Sequence, residues 1–76
     1  MAAKAFVLIE TDVGKAREVT AGLKKLGGVK SVDTVTGPYD IIVVIEAEGL
    51  NDIGDLVTGK IHPIAGISRT VTCLAI

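Results

Sequence analysis

Among its 76 residues the chain has one cysteine, one histidine, one tyrosine, one phenylalanine and no tryptophan. A lone Cys73 excludes an internal disulfide framework. A lone His62 with no Cys-x-x-Cys pair excludes the usual zinc-ligand spacings, so neither metal nor cofactor is expected. No apolar run approaches the roughly 18 residues a membrane-spanning helix needs. The start, Met1-Ala2-Ala3-Lys4, runs directly into an extended segment and has no secretory leader pattern, so a cytoplasmic protein is expected. Eight basic and nine acidic residues leave a net charge of −1. They are scattered, with one Lys-Lys pair at Lys24-Lys25, and direct nucleic-acid binding is not expected.

What the chain does have is apolar content, 49% of its residues. A single domain of this length buries only roughly 60% of its unfolded surface. Below about 70–80 residues a core of that size usually needs a staple. Disulfides and metals being excluded, self-association is the staple that remains.

The densest apolar stretch is Ile41-Ile42-Val43-Val44-Ile45. All five residues are β-branched, which favours an extended strand over a helix. Alternate residues of a strand point to opposite faces, so this strand is apolar on both. Ala5-Phe6-Val7-Leu8-Ile9 has the same character. Between them, Ala16, Val19, Leu23 and Leu26 recur at helical spacing, with Arg17, Lys24 and Lys25 on a solvated face. Asp12 is placed to cap that helix, and Gly27-Gly28 to end it. Val29 to Thr36 is a more polar strand, suited to a sheet edge. Gly37-Pro38-Tyr39-Asp40 then reads as a hairpin loop of about four residues. A second helix follows from Gly49 through Leu50, Ile53, Val57 and Ile61, with Gly54 as a point of close packing. His62-Pro63 ends it, because a residue before proline avoids the α region. Ile67 to Ile76 is the last strand, and Cys73 on it reads as a small buried hydrophobe.

The order β-α-β-β-α-β is the split βαβ, ferredoxin-like arrangement of the α+β class. Right-handed crossovers give a four-stranded antiparallel sheet of order 4-1-3-2 with both helices on one face. The other face of strands one and three has no element of the chain to cover it. A second copy, sheet against sheet, is the economical cover, giving a dimeric α/β barrel.

The segment V-x-G-x-Y-D at Val35 to Asp40, together with the terminal I-x-R-T-x-T at Ile67 to Thr72, resembles the effector-binding (RAM) domain of the Lrp/AsnC family of amino-acid-responsive regulators. The resemblance covers essentially the whole chain. It implies dimers that assemble further into tetramers, octamers or similar rings, with a free amino acid bound between dimers. By position it assigns Gly37, Tyr39, Asp40, Thr70 and Thr72 to the effector site. Such residues suit a zwitterion: turn N–H groups and threonine hydroxyls donate to a carboxylate, and Asp40 accepts from an ammonium. Full-length members carry an N-terminal helix-turn-helix domain. Here Met1 lies a few residues from the first strand, so the sequence reads as a stand-alone effector domain over residues 1–76, able to co-assemble with full-length regulators. Val13-Gly14 replaces the Pro-Gly common at this helix start.

Each candidate residue also has a plain structural explanation. Gly37 and Asp40 suit a turn by themselves, Tyr39 suits an interface, and Thr70 and Thr72 suit any strand. Two other functions share the topology. A small dimeric α+β barrel enzyme, of the monooxygenase kind, needs polar or titratable groups between sheet and helices. An ACT-like amino-acid-binding domain pairs sheets edge to edge and binds at the first strand-to-helix loop, where Asp12-Val13-Gly14 is a near match. The expected function is a non-enzymatic, amino-acid-binding regulatory module.

Overall fold

Residues 2–76 are described by a computed structural model. Strand β1 (Ala3–Thr11), helix α1 (Ala16–Lys24), strands β2 (Val29–Thr34) and β3 (Ile41–Ala47), helix α2 (Leu50–Leu56) and strand β4 (Ile67–Leu74) follow in that order. The four strands form one antiparallel sheet ordered β2-β3-β1-β4. This is the expected order read from the other edge. The two most apolar strands, β1 and β3, are central, each hydrogen-bonded to a neighbour on both sides.

The register divides the sheet into two faces. Ile9 pairs with Ile41, Val7 with Val43 and Ala5 with Ile45. All six are fully buried beneath Val19 and Leu23 of α1, Ile53 of α2, and Val57 and Ile61 beyond it. The intervening residues Phe6, Leu8, Ile42 and Val44 occupy the opposite face, where no element of the described residues covers them. Val71 and Cys73 extend that face on β4, opposite Leu8 and Phe6. Cys73 is therefore exposed in the single chain rather than buried. Its neighbours alternate with the helix-facing Thr70 and Thr72, and an even-odd pattern does not tell which set meets the core.

Further local expectations are corrected. Asp12 does not cap α1: Lys15 occupies the N-cap without a side-chain cap, and the Asp12 carbonyl accepts from the Lys15 N–H at 3.0 Å instead. Strand β2 stops at Thr34 and β4 at Leu74, where pairing with the neighbouring strand ends. The second helix is not uniform. After Leu56 it widens into a π-helical turn over Val57–Ile61, and the His62 N–H donates to the Val57 carbonyl at 2.8 Å. His62 keeps α-region angles (φ −54, ψ −38) despite preceding Pro63, because that wide-turn bond holds it. Gly54 has nothing within 4 Å of where a Cβ would stand, so close packing does not explain it.

A glycine that packing does require is Gly66, at φ +99. A Cβ there would stand 2.9 Å from the Lys15 Cβ and 3.1 Å from Val19 Cγ2, and the Gly66 carbonyl accepts from the Asp12 N–H at 2.7 Å. It lets the start of β4 pass against the start of α1. These two glycines make opposite predictions. Gly66→Ala costs more than about 1 kcal/mol, while Gly54→Ala in an open helical position stabilises by about 0.4–1 kcal/mol. Urea unfolding midpoints of the two variants, moving in opposite directions from the parent, check both.

Candidate functional site

The β2–β3 connection is closed by the Val35 N–H donating to the Asp40 carbonyl at 2.8 Å, which leaves a four-residue loop, Thr36 to Tyr39. Gly37 at its tip has φ +139 and open space around it. Only glycine adopts that backbone without strain. The loop is held to β1 at Asp40. Its N–H donates to the Ile9 carbonyl at 2.9 Å. Its carboxylate Oδ2 accepts from the Thr11 N–H at 2.8 Å and lies 3.2 Å from the Thr11 hydroxyl. Oδ1 has no hydrogen-bond partner among the described residues. Asp40 is thus a fastener between loop and sheet with one oxygen to spare.

Tyr39 is half-buried, and the Arg69 guanidinium lies 5.9 Å from its ring centroid. That is within range of a cation–π attraction. Thr70 pairs with Ile9 across β1 and β4, so it flanks the strand position that Asp40 holds from the other side. Its hydroxyl is 3.0 Å from His62 Nε2. Asp40 with Thr11, and Tyr39 with Arg69, therefore lie at one end of the sheet, while Thr70 stands across β1 from Asp40 on the helix-facing side, where its partner is His62. Thr72 lies two residues inward, opposite Val7, and lines a different space.

That space is a cleft of about 290 Å³ between β4 and α2, lined by Leu50, Ile53, Gly54, Val57, Thr58, Thr72 and Leu74. The Thr58 hydroxyl is spent on the Gly54 carbonyl at 2.9 Å. No lining residue is titratable, so this cleft supplies no acid or base of the kind a barrel enzyme would need there. Among the described residues no group of three or more His, Cys, Asp or Glu is placed to hold a metal ion. No helix of the described residues is long and apolar enough to cross a membrane.

Thr11, Arg69 and His62 were not singled out as site residues in the sequence. Thr11 is 29 residues from Asp40, and no local spacing links them. Arg69 lay within the recognised R-T-x-T stretch but carried no assigned role.

A four-stranded sheet, one helix layer and a polar cluster at the end of the β2–β3 hairpin define a ferredoxin-like α+β module. The chain belongs to the Lrp/AsnC family: the model of the Lrp/AsnC ligand binding domain matches residues 4–76. It is 34% identical over 74 residues to an uncharacterized HTH-type transcriptional regulator of Pyrococcus furiosus, covering 93% of this chain and 49% of that protein. The chain thus spans about half the length of the curated relatives it matches first. A homocitrate synthase of Sulfurisphaera tokodaii is 36% identical over 58 residues, which cover 76% of this chain and 12% of that enzyme. The crystal structure of FFRP-DM1 superposes with a TM-score of 0.93 at 39% identity, over 97% of this chain and 99% of that one. A Neisseria meningitidis transcriptional regulator, solved as a complex with L-Met, shares the fold at 20% identity and TM-score 0.87, over 97% of this chain and 49% of that one.

Removing the fastener tests its structural share. Asp40→Ala strands the Thr11 N–H and is expected to cost about 1–3 kcal/mol, whereas Thr11→Val, which keeps the backbone donor, costs less. Thermal unfolding of both variants without ligand checks the ranking.

Proposed function

We propose that this chain is an effector-binding module that takes a free amino acid at a boundary between copies of itself. Through its assembly, or through co-assembly with full-length Lrp/AsnC regulators, it modulates transcription. The observation that carries this reading is the match to a ligand binding domain over residues 4–76. The L-Met complex of a regulator with the same fold supports an amino acid as the class of ligand. The homocitrate synthase match runs over a small part of that enzyme, and supports a module that accompanies different machinery rather than the catalyst itself.

The polar end of the sheet suits such a ligand. The free Oδ1 of Asp40 is an acceptor for an ammonium group. The N–H groups of the Gly37 loop are donors for a carboxylate. Tyr39 presents a ring beside both. Thr72 lines the separate apolar cleft between β4 and α2. In one chain these groups lie open on the surface and do not surround a ligand, so a second copy must complete the enclosure. Binding at such a boundary favours whichever assembly completes it.

The open sheet face supports the pairing. Phe6, Leu8, Ile42, Val44 and Val71 form one apolar patch flanked by the cross-strand pairs Lys4–Glu46 and Glu10–Arg69. Facing sheets pack at about 10 Å and bury such a patch completely. Val44→Lys places a charge at its centre and is expected to yield a monomer by sedimentation at micromolar concentration, against a dimer or larger for the parent. A parent chain that is already a stable monomer overturns the pairing.

Isothermal titration of the twenty amino acids tests the ligand. At least one is expected to bind at or below the millimolar range, with binding weakened at least about tenfold by Asp40→Asn, the loss of one charged hydrogen bond. No response to any of them at millimolar concentration overturns the reading.

A further inference from the structure

Strand β1 is irregular where β4 begins. Glu10 pairs with Arg69, but the next residue, Thr11, pairs with Ile67. Ser68 is left over in the register, and its hydroxyl donates to the Glu10 carbonyl at 3.0 Å. An irregularity of this kind re-aims the side chains around it. Asp40 is fastened to one of the two β1 residues, Thr11, and Arg69 stands opposite the other, Glu10. Opposite charges directly across two strands can pair. Among the described residues, however, the one ion pair is Lys15 with Glu18 at 3.7 Å. Exposed Arg69 thus holds its guanidinium clear of Glu10 and of Asp40, with no hydrogen bond to any described residue. It stands instead 5.9 Å from the Tyr39 ring centroid. Tyr39 immediately precedes Asp40, whose Oδ1 is also without a partner.

We propose that Arg69 holds the α-carboxylate of the amino-acid effector while Oδ1 of Asp40 holds its ammonium. The assignment deepens the function proposed above and rests on it. An α-amino acid carries its two charges one carbon apart. Its receptor therefore needs a cation and an anion that are neighbours and do not neutralise each other. Arg69 and Asp40, both set by the Tyr39 ring and both unpaired, meet that description. The planar fork of a guanidinium makes two parallel, charge-assisted hydrogen bonds to a carboxylate, stronger than those of the neutral loop N–H groups beside it. Attraction to the Tyr39 ring restrains the long side chain before a ligand arrives, so less of its freedom is lost on binding. The irregular turn of β1 holds the two charged residues in one frame, through Thr11 for Asp40 and Glu10 for Arg69.

Blocking the carboxylate of the probe tests the assignment. The full chain is titrated by calorimetry with the twenty L-amino acids, each as the free acid and as its α-amide, which keeps the ammonium and side chain but loses the carboxylate charge. The quantity read is the ratio of the two affinities. A variant with less folded or assembled protein loses both affinities together, so the ratio does not move for that reason. In the parent the free acid is expected to bind at least about tenfold more tightly than the amide, the scale of one charged hydrogen bond. Arg69→Gln is expected to bring the ratio down to about threefold or less, and Arg69→Lys, which keeps the charge without the fork, to fall between. Asp40→Asn weakens both forms and leaves the ratio standing, because it removes the partner of the ammonium. An Arg69→Gln ratio equal to the parent's, or a parent that binds acid and amide alike, overturns the role of Arg69 while amino-acid binding itself stands. A parent that binds neither form of any of the twenty overturns both.

Discussion

The structure depends on one constraint: two adjacent strands are apolar on both faces, and the chain has one layer of helices. Val7, Ile9, Val43 and Ile45 are sealed by Val19, Leu23, Ile53 and Ile61. Leu8, Ile42 and Val44, one residue out of phase, are left half-buried in a single copy. A period of two makes this unavoidable, since a strand cannot turn an apolar residue away from one face without presenting it on the other. The same feature that fills the core thus creates an exposed apolar patch. That patch is the ground for the proposed pairing of two copies.

The position of the polar cluster follows from the fold rather than from local sequence. Hairpin β2–β3 delivers Tyr39 and Asp40 to the end of the sheet where β1 bulges between Glu10 and Thr11 and where β4 begins. Asp40 has two duties there. One oxygen ties the loop to Thr11, and the other remains free. A residue that is half fastener and half surface couples the shape of the loop to whatever binds beside it. The cluster also spans elements far apart in the chain, so a ligand resting on it would bridge the hairpin and the last strand.

Expectation and structure agree where burial decides and part where local detail decides. The strand order, the central placement of β1 and β3, and a four-residue hairpin loop, expected at Gly37–Asp40 and found one residue earlier, were legible in runs of β-branched residues and a Gly-Pro turn. The π-helical turn at Val57–Ile61 was not, because the spacing of Leu50, Ile53, Val57 and Ile61 fits a regular helix equally well. Asp12 looked like a cap, but the backbone turn to Lys15 took its place. Cys73 looked buried, but register places it on the open face.

By itself the sequence determined which segments are strands and helices, that two strands needed cover on both sides, and that cysteine and histidine were too few for a disulfide or zinc framework. These follow from composition and period, which are properties of neighbouring residues. Only the tertiary structure decided that Asp40 is bound to Thr11, that Tyr39 stacks by Arg69, and that Thr70 and Thr72 face different surroundings. Those relations join residues brought together by strand pairing across the sheet, and the register that joins them is set by the packing of the whole core.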